Sequence, residues 1–282
     1  LDDSQLTGTV KLAYHPNDNT LTYASFATGY KAGGTNTDRI LPSLSPLFDA
    51  EKSRSAEIGI KHDFEEYGVR VNAAAHYTQI SDFQATTFTG TGFNLQNAGD
   101  IIVKGVELEA TWLVTESTEL HAVASRTLAN FDEFKRGTCW VAYTWHTGID
   151  DPGRVEPNDP FCSRDGDRVG FEPQNSLSLM LNHYFEVGNY PAFASIDYQY
   201  TGDVFLDDAN DPYKYADDFS LFNVRVSFTI PQWDSEIIAW SRNVFDEEYV
   251  ARSGFDVPVQ TGKIMAYPGA PRSFGVTFRK SF

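Results

Sequence analysis

The sequence predicts an all-β chain that crosses a membrane with strands, an antiparallel up-and-down transmembrane β-barrel of which about eleven strands are present. Three observations predict it. Apolar and polar residues alternate with period two along the whole chain, the pattern of strands that are wet on one face only. Short and long connections alternate between these segments, and aromatic residues gather near one end of every second segment.

The alternating segments fall at 5–14, 20–32, 51–64, 68–89, 101–114, 118–130, 173–187, 191–206, 217–229, 235–245 and 271–282. Val106, Leu108, Ala110 and Trp112 alternate with Glu107, Glu109 and Thr111, and Phe222, Val224, Val226, Phe228 and Ile230 alternate with Asn223, Arg225, Ser227 and Thr229. Turn-forming residues mark the short connections: Pro16-Asn17-Asp18-Asn19, Glu65-Glu66-Tyr67, Thr115-Glu116-Ser117, Gly188-Asn189-Tyr190 and Pro231-Gln232-Trp233-Asp234. The long ones span 33–50, 90–100, 131–172, 207–216 and 246–270. Outer-membrane barrels show this asymmetry, with short periplasmic turns and long extracellular loops. A soluble β-sandwich also alternates, but nothing in its architecture demands alternating loop lengths.

With the short turns periplasmic, the odd-numbered segments descend. Tyr14, Phe64, Trp112, Phe185, Phe228 and Phe282 then close them on the apolar parity, as a periplasmic aromatic girdle. The polar residues on this parity fall near the ends: His62, His183 and Lys280 two residues before a girdle aromatic, and Arg126 high on an ascending strand. Inward parity places Lys61, Arg70, Glu107, Glu109, Asp197, Arg225 and Arg279 in the lumen.

Composition excludes other classes. A net charge of −17 argues against nucleic acid as a partner, because phosphate neutralisation needs clustered Lys and Arg. No 18-residue apolar run is long enough for a membrane helix. The chain opens Leu1-Asp2-Asp3-Ser4 without the basic and apolar regions of a signal peptide. Eleven strands are an odd number, and single-chain bacterial barrels close with an even one, so the expectation is part of a larger barrel. No catalytic constellation is present: there is no Gly-x-Ser-x-Gly elbow, phosphate loop or His-Glu-x-x-His, and Gly90-Thr91-Gly92 reads as a loop tip. Neither an enzymatic activity nor a cofactor is expected.

Several motifs resemble the C-terminal half of TonB-dependent outer-membrane receptors. The penultimate segment ends Arg242-Asn243-Val244-Phe245-Asp246-Glu247-Glu248-Tyr249, similar to the family's Asn-Leu-Phe-Asp followed by Tyr, with Val244 in place of Leu. The last opens Pro271-Arg272-Ser273-Phe274-Gly275-Val276 and ends on Phe282, the terminal aromatic that the resemblance assigns to the barrel-assembly machinery. Tyr23-Ala24-Ser25 with Gly29-Tyr30-Lys31-Ala32-Gly33-Gly34, then Glu57-Ile58-Gly59-Ile60-Lys61 and Gly105-Val106-Glu107-Leu108-Glu109, follow in the family's order.

The resemblance implies that residues 1–282 form the C-terminal part of a plugged, 22-stranded barrel, without plug domain, TonB-contacting segment and N-terminal strands. It further implies residence in the outer membrane of a Gram-negative bacterium. The implied function is TonB-driven uptake of a ferric siderophore or similar bulky nutrient, with oligosaccharide or cobalamin as other cargo. A passive porin is the alternative reading of the barrel. Haem cargo is disfavoured, because no His lies between Gly29-Tyr30-Lys31-Ala32 and Ser45-Pro46-Leu47-Phe48, where haem receptors carry an axial ligand.

Candidate cargo contacts on the long loops are Tyr30, Lys31, Arg39, Trp140, Tyr143, Trp145, His146, Phe205 and Arg252. The aromatic run in the longest loop reads either as a cargo-contacting cluster or as a small core that lets the loop fold on itself. Cys139 and Cys162 in that loop are expected to form a disulfide, worth about 3 kcal/mol for a loop of that length. Asp203, Asp207, Asp208, Asp211, Asp217 and Asp218 face one basic neighbour, Lys214. They read as a solvated acidic rim, or, through Asp207, Asp208 and Asp211, as a weak Ca²⁺ site.

Overall fold

A computed structural model describes residues 4–37, 45–88, 93–157, 159–257 and 260–281. Eleven strands form one antiparallel sheet in which each strand pairs with its neighbours in the chain. They are β1 (Thr9–Asn17), β2 (Thr20–Lys31), β3 (Glu51–Phe64), β4 (Val69–Ser81), β5 (Asp100–Thr115), β6 (Thr118–Glu133), β7 (Asn175–Val187), β8 (Tyr190–Thr201), β9 (Phe219–Ile230), β10 (Ser235–Arg242) and β11 (Ser273–Lys280). β1 and β11 are its two edges, so the sheet is an open, unclosed wall.

Cross-strand partners share a face, so the register shows which residues stand together. Leu12, Ala24, Ile58, Ala75 and Val106 lie in one row. The row from Tyr14 runs through Thr22, Ile60, Ala73, Leu108, Ala124, Leu177 and Tyr200 to Ser220. It starts beside a short turn and ends beside a long loop, the stagger of strands tilted within a curved wall. Both rows are almost wholly apolar.

The opposite face is polar and internally paired. Arg70 forms an ion pair with Asp63, Asn72 donates to Glu109 at 2.8 Å, and Arg279 meets Glu236 at 3.0 Å. The hydroxyl of Tyr23 donates to Glu57 at 2.7 Å. Its ring lies over Gly59, where a Cβ would collide with it, which is why this strand position carries glycine.

Near the short turns Phe64 and Trp112 both flank Val69, and Phe185 and Phe228 both flank Ala192, so aromatics of alternate strands stand level. Their histidine neighbours are anchored in the same way twice. Thr20 meets His62 Nδ1 at 2.7 Å and Thr118 meets His183 Nδ1 at 2.9 Å, while the rings lie 4.2 and 5.5 Å from Phe64 and Phe185. Phe282 lies outside the described residues.

Three boundaries differ most from the sequence-based expectation. Residues 5–8 form no strand. Segment 68–89 stops at Ser81, because Asp82 turns the chain through a left-handed conformation (φ 56°), and a separate hairpin, Gln84–Phe88 with Phe93–Asn97, follows. Segment 191–206 divides after Thr201 at Gly202, and Val204–Phe205 pairs instead with Tyr215–Ala216. Alternation continues across both breaks, so periodicity could not show them. The hairpin base and the adjoining strand ends bury Ala85, Ala98, Ile101, Phe131 and Phe134 in a small core.

Candidate functional site

The long loops converge at one end of the wall. In the longest, a two-residue pairing of Gly137–Thr138 with Phe161–Cys162 closes the base, and Cys139 and Cys162 are joined in a disulfide. Between them lies a helix of six residues, α1 (Ala142–Thr147), which ends where Gly148 adopts φ 72° and its N–H bonds to Thr144. No side chain of its own caps the start of this helix.

The cap comes from another loop. The carboxylate of Asp211 accepts N–H bonds from Val141 at 3.0 Å, Ala142 at 2.9 Å and Tyr143 at 3.2 Å, and one from Tyr213 in its own loop at 3.0 Å. One buried anion thus satisfies the starts of two short helical turns, α1 and Pro212–Lys214.

A buried arginine ties the same loops together. Arg164 is 2% exposed, and its guanidinium meets Asp151 at 2.5 Å, Asp167 at 3.2 Å and the carbonyl of Ala209 at 2.6 Å. Asp151 also accepts from the backbone of Trp140 and of Gly153, each at 2.7 Å. Burial pushes the carboxyl of Asp167 up from its ordinary value, against the pull of Arg164. A charge buried this deeply is tolerated only with its donors placed in such a fork.

The acidic residues expected as a solvated rim serve largely as internal fasteners, which corrects that expectation. Lys214 meets Asp207 at 2.7 Å, Arg168 meets Asp203 at 2.6 Å, and Asp208 accepts from Gly170 N–H at 2.9 Å. Arg168 holds the carboxyl of Asp203 below the usual range, whereas burial pushes Asp207 and Asp208 above it. Asp217 and Asp218 remain exposed. The oxygens of Asp207, Asp208 and Asp211 point to protein donors instead of converging on a cation. Among the described residues, the one grouping with metal-ligand spacing is Cys139, Asp151 and Cys162, and the disulfide occupies both sulfurs.

Most of the aromatic run packs within the loops, as the small-core reading expects. Trp140 is drawn inward, its Nε1 donating to Ala209 at 2.9 Å and its ring 5.2 Å from Tyr143. Tyr143 stands edge-on to Tyr213 at 5.8 Å, and His146 stacks on Tyr213 at 5.0 Å. Trp145 stays 63% exposed, and Ile149 and Tyr213 of the same packed loops are exposed as well. His146 Nε2 donates to the carbonyl of Gly262 at 2.8 Å, which brings in a third loop, the hairpin of Val250–Asp256 with Ile264–Pro268. Trp145 lies against Gly262, where φ is 77° and a side chain would strike the indole.

Tyr30, Lys31 and Phe205 lie on other elements. Tyr30 and Lys31 end β2, and Lys31 pairs with Glu51 across the strands at 3.6 Å. Phe205 faces Tyr215 at 5.3 Å and Arg168 at 5.6 Å. Arg252 lies on the third loop's hairpin opposite Tyr267, and Arg39 lies outside the described residues. Arg164, Asp151 and Tyr213 were missed by sequence reasoning. The Asp-Pro step at Asp211-Pro212 was a legible helix-start signal, but its second helix lay in a different loop.

A staggered antiparallel wall, apolar on one face and paired on the other, with short turns at one end and a stapled loop cluster at the other, has the architecture of an outer-membrane β-barrel. The chain belongs to the TonB dependent receptor-like β-barrel family, whose pattern matches residues 1–244. It is 35% identical over 114 residues to the pesticin receptor of Yersinia enterocolitica, an alignment that covers 39% of this chain and 16% of that protein. Its fold is similar to the ferric yersiniabactin uptake receptor FyuA of Yersinia pestis, with TM-score 0.77, 22% identity, and coverage of 99% of this chain and 38% of that one. The siderophore receptor PiuA of Acinetobacter baumannii is also similar, with TM-score 0.67, 17% identity, and coverage of 96% and 35%. The chain thus spans well under half of each relative, and these relatives are named as receptors, not enzymes.

Proposed function

We propose that this chain is the C-terminal half of a 22-stranded barrel in an outer-membrane receptor that imports a ferric siderophore or similarly bulky nutrient. The long loops face the cell exterior and the short turns the periplasm. Energy comes from the inner membrane through TonB, which contacts a region outside this chain. The loop cluster around α1 captures cargo, and the aromatic ring of Tyr14, Phe64, Trp112, Phe185, Phe228 and Phe282 seats the wall at the periplasmic interface. Phe282 also serves the barrel-assembly machinery.

The observation that carries this reading is the loop cluster itself. A passive pore has no need to brace one loop with a disulfide and fasten it to two others through a buried arginine, a shared helix cap and the His146–Gly262 bond beneath an exposed indole. Aromatic surface held on a rigid support binds with little loss of side-chain freedom.

The test is uptake of a radiolabelled ferric siderophore by cells that carry the full-length receptor with residues 139–162 deleted. Uptake should fall to the level of cells lacking the receptor, while the amount of barrel in the outer membrane stays unchanged. Undiminished uptake would reject the capture role, and uptake that survives collapse of the proton gradient would favour the passive pore.

A further inference from the structure

Lys214 is the one lysine among the described residues that is buried: it is 4% exposed, whereas every other described lysine reaches solvent. An ammonium held away from water is costly unless a partner neutralises it. Its Nζ donates to Oδ2 of Asp207 at 2.7 Å, and the Asp207 side chain is itself only 21% exposed.

The backbone fixes the two groups against each other. Leu206 N–H bonds to the carbonyl of Lys214 at 2.7 Å, directly beside Asp207, and Val204–Phe205 pairs with Tyr215–Ala216 just outside it. Lys214 N–H bonds to the carbonyl of Asp211 at 2.8 Å and closes the helical turn Pro212–Lys214. Gly170 presses on Asp207 from the longest loop, where a Cβ would come within 2.6 Å of the Asp207 carbonyl carbon. Leu206, Ala209, Asp211 and Ala216 of the same segment are buried. This pair is therefore held in place, unlike two long side chains that meet at a surface.

Burial disfavours the charged form of both groups, and it pushes the Asp207 carboxyl above its ordinary value against the pull of Lys214. A proton passed along their hydrogen bond leaves a neutral amine touching a neutral carboxylic acid. Reactants fixed at contact distance lose the entropic barrier that separates them in solution. We propose that Lys214 and Asp207 join covalently in an intramolecular isopeptide bond, Nζ of Lys214 forming an amide with Cγ of Asp207 while one water leaves.

The amine lone pair attacks Cγ, and the charge that develops on Oδ1 faces the N–H of Asp211, which already points to that oxygen at 3.4 Å. A second proton passes from Nζ to Oδ2, the Cγ–Oδ2 bond breaks, and Oδ2 departs as water. Of the three ammonium hydrogens one stays on the amide and two leave with the oxygen, with no change of oxidation state. The bond closes 207–214 into a ring and holds Asp211, the cap of α1, within it. The inference stands on the geometry of this loop and is independent of what the receptor imports.

The experiment is tryptic digestion and tandem mass spectrometry of the denatured full-length receptor, purified from outer membranes. An acylated Lys214 resists trypsin, so the parent should yield 169–225 as one peptide, lighter than its sequence mass by one water, with fragment ions that link Lys214 to Asp207. Lys214→Arg, which keeps the cation, and Asp207→Ala should both be cut after residue 214 at full mass. A parent cut after Lys214 at full mass overturns the bond. So does a lost water with cleavage at Lys214 intact, which would mark a succinimide, and so does a light, uncut peptide in Asp207→Ala. The parent digest decides by itself if either variant fails to accumulate.

Discussion

Asp211 caps a helix that belongs to a different loop: its carboxylate accepts the N–H of Ala142 at 2.9 Å, from 69 residues further along the chain. Both residues are fully buried. The start of α1 therefore depends on a neighbouring loop, whereas the turn Pro212–Lys214 takes its cap from Asp211 in its own.

Asp211→Ala should consequently loosen residues 139–162 as well as 207–216. Leaving several buried donors without an acceptor costs about 2 to 5 kcal/mol in local stability. Hydrogen exchange of the full-length receptor should show lost protection in both loops, and Asp211→Asn should show a smaller loss. Protection lost in 207–216 alone would refute the shared cap.

The disulfide should matter less than its loop length suggests, because Arg164 and Asp211 hold the same segment. In the chain-entropy estimate the bridge is worth about 3 kcal/mol. Cys139→Ser with Cys162→Ser should speed tryptic cleavage after Arg136 and Arg154 without abolishing the fold of the loops. Cleavage as fast as in an Arg164→Ala variant of the same protein would show that the bridge dominates.

Acid should act on this cluster in two opposed ways. Arg168 holds Asp203 below the ordinary carboxylate value, so the stability from that pair is present above the ordinary value and is lost as pH falls through the lowered one. Burial holds Asp208 above it, so the folded state takes up that proton first and gains stability as pH falls through the raised value. Asp203→Asn should flatten the loss of exchange protection at the acid end for residues 203–216, and Asp208→Asn should remove the gain that precedes it. Superimposable pH profiles for both variants and the parent would contradict this assignment.

The two faces of the wall predict a depth dependence. A charge introduced mid-strand on the apolar face by Leu108→Arg should cost about 2 to 4 kcal/mol, and His62→Arg, beside Phe64 at the rim, about 0 to 1 kcal/mol. Folding of the full-length receptor into lipid vesicles, followed by denaturant titration, reads the difference. Equal costs would mean that this face does not meet hydrocarbon.

Asn243 shows why its motif has the residues it has. The backbone is left-handed there, with φ 48°, and the side chain accepts from Glu247 N–H while donating to the carbonyls of Glu247 and Ala270. Asp246 adds a bond to Arg272 N–H at 2.7 Å, and Tyr249 stacks on Phe219 at 4.2 Å. The motif is a clasp that closes the last long loop onto the entry to β11. Asn243→Ala should cost about 2 to 3 kcal/mol, and Asn243→Gly, which relieves the backbone but not the lost bonds, should recover only part of it.

Most of the wall was legible in the sequence because a strand's faces are written at every second residue. The parity of Phe64, Trp112, Phe185 and Phe228 was legible, and the structure sets Phe64 level with Trp112 across Val69 and Phe185 level with Phe228 across Ala192. The loops were not legible, since their structure depends on contacts between residues such as Asp211 and Ala142 that no local period relates. Counting charges misread Asp203, Asp207 and Asp208, because the count ignores which donors the fold brings to them. The disulfide was anticipated from the presence of two cysteines in one loop, whereas the role of Arg164 needed the burial that only the structure shows.

The bond from His146 to Gly262 has a mechanical meaning. Three hairpins that could each have swung on their own strands are joined through the longest of them, so these loops share one collective coordinate where they could have had three. A push on Trp145 would be felt in all three, and only a cut in the longest loop, which carries every one of these bonds, would return freedom to the other two.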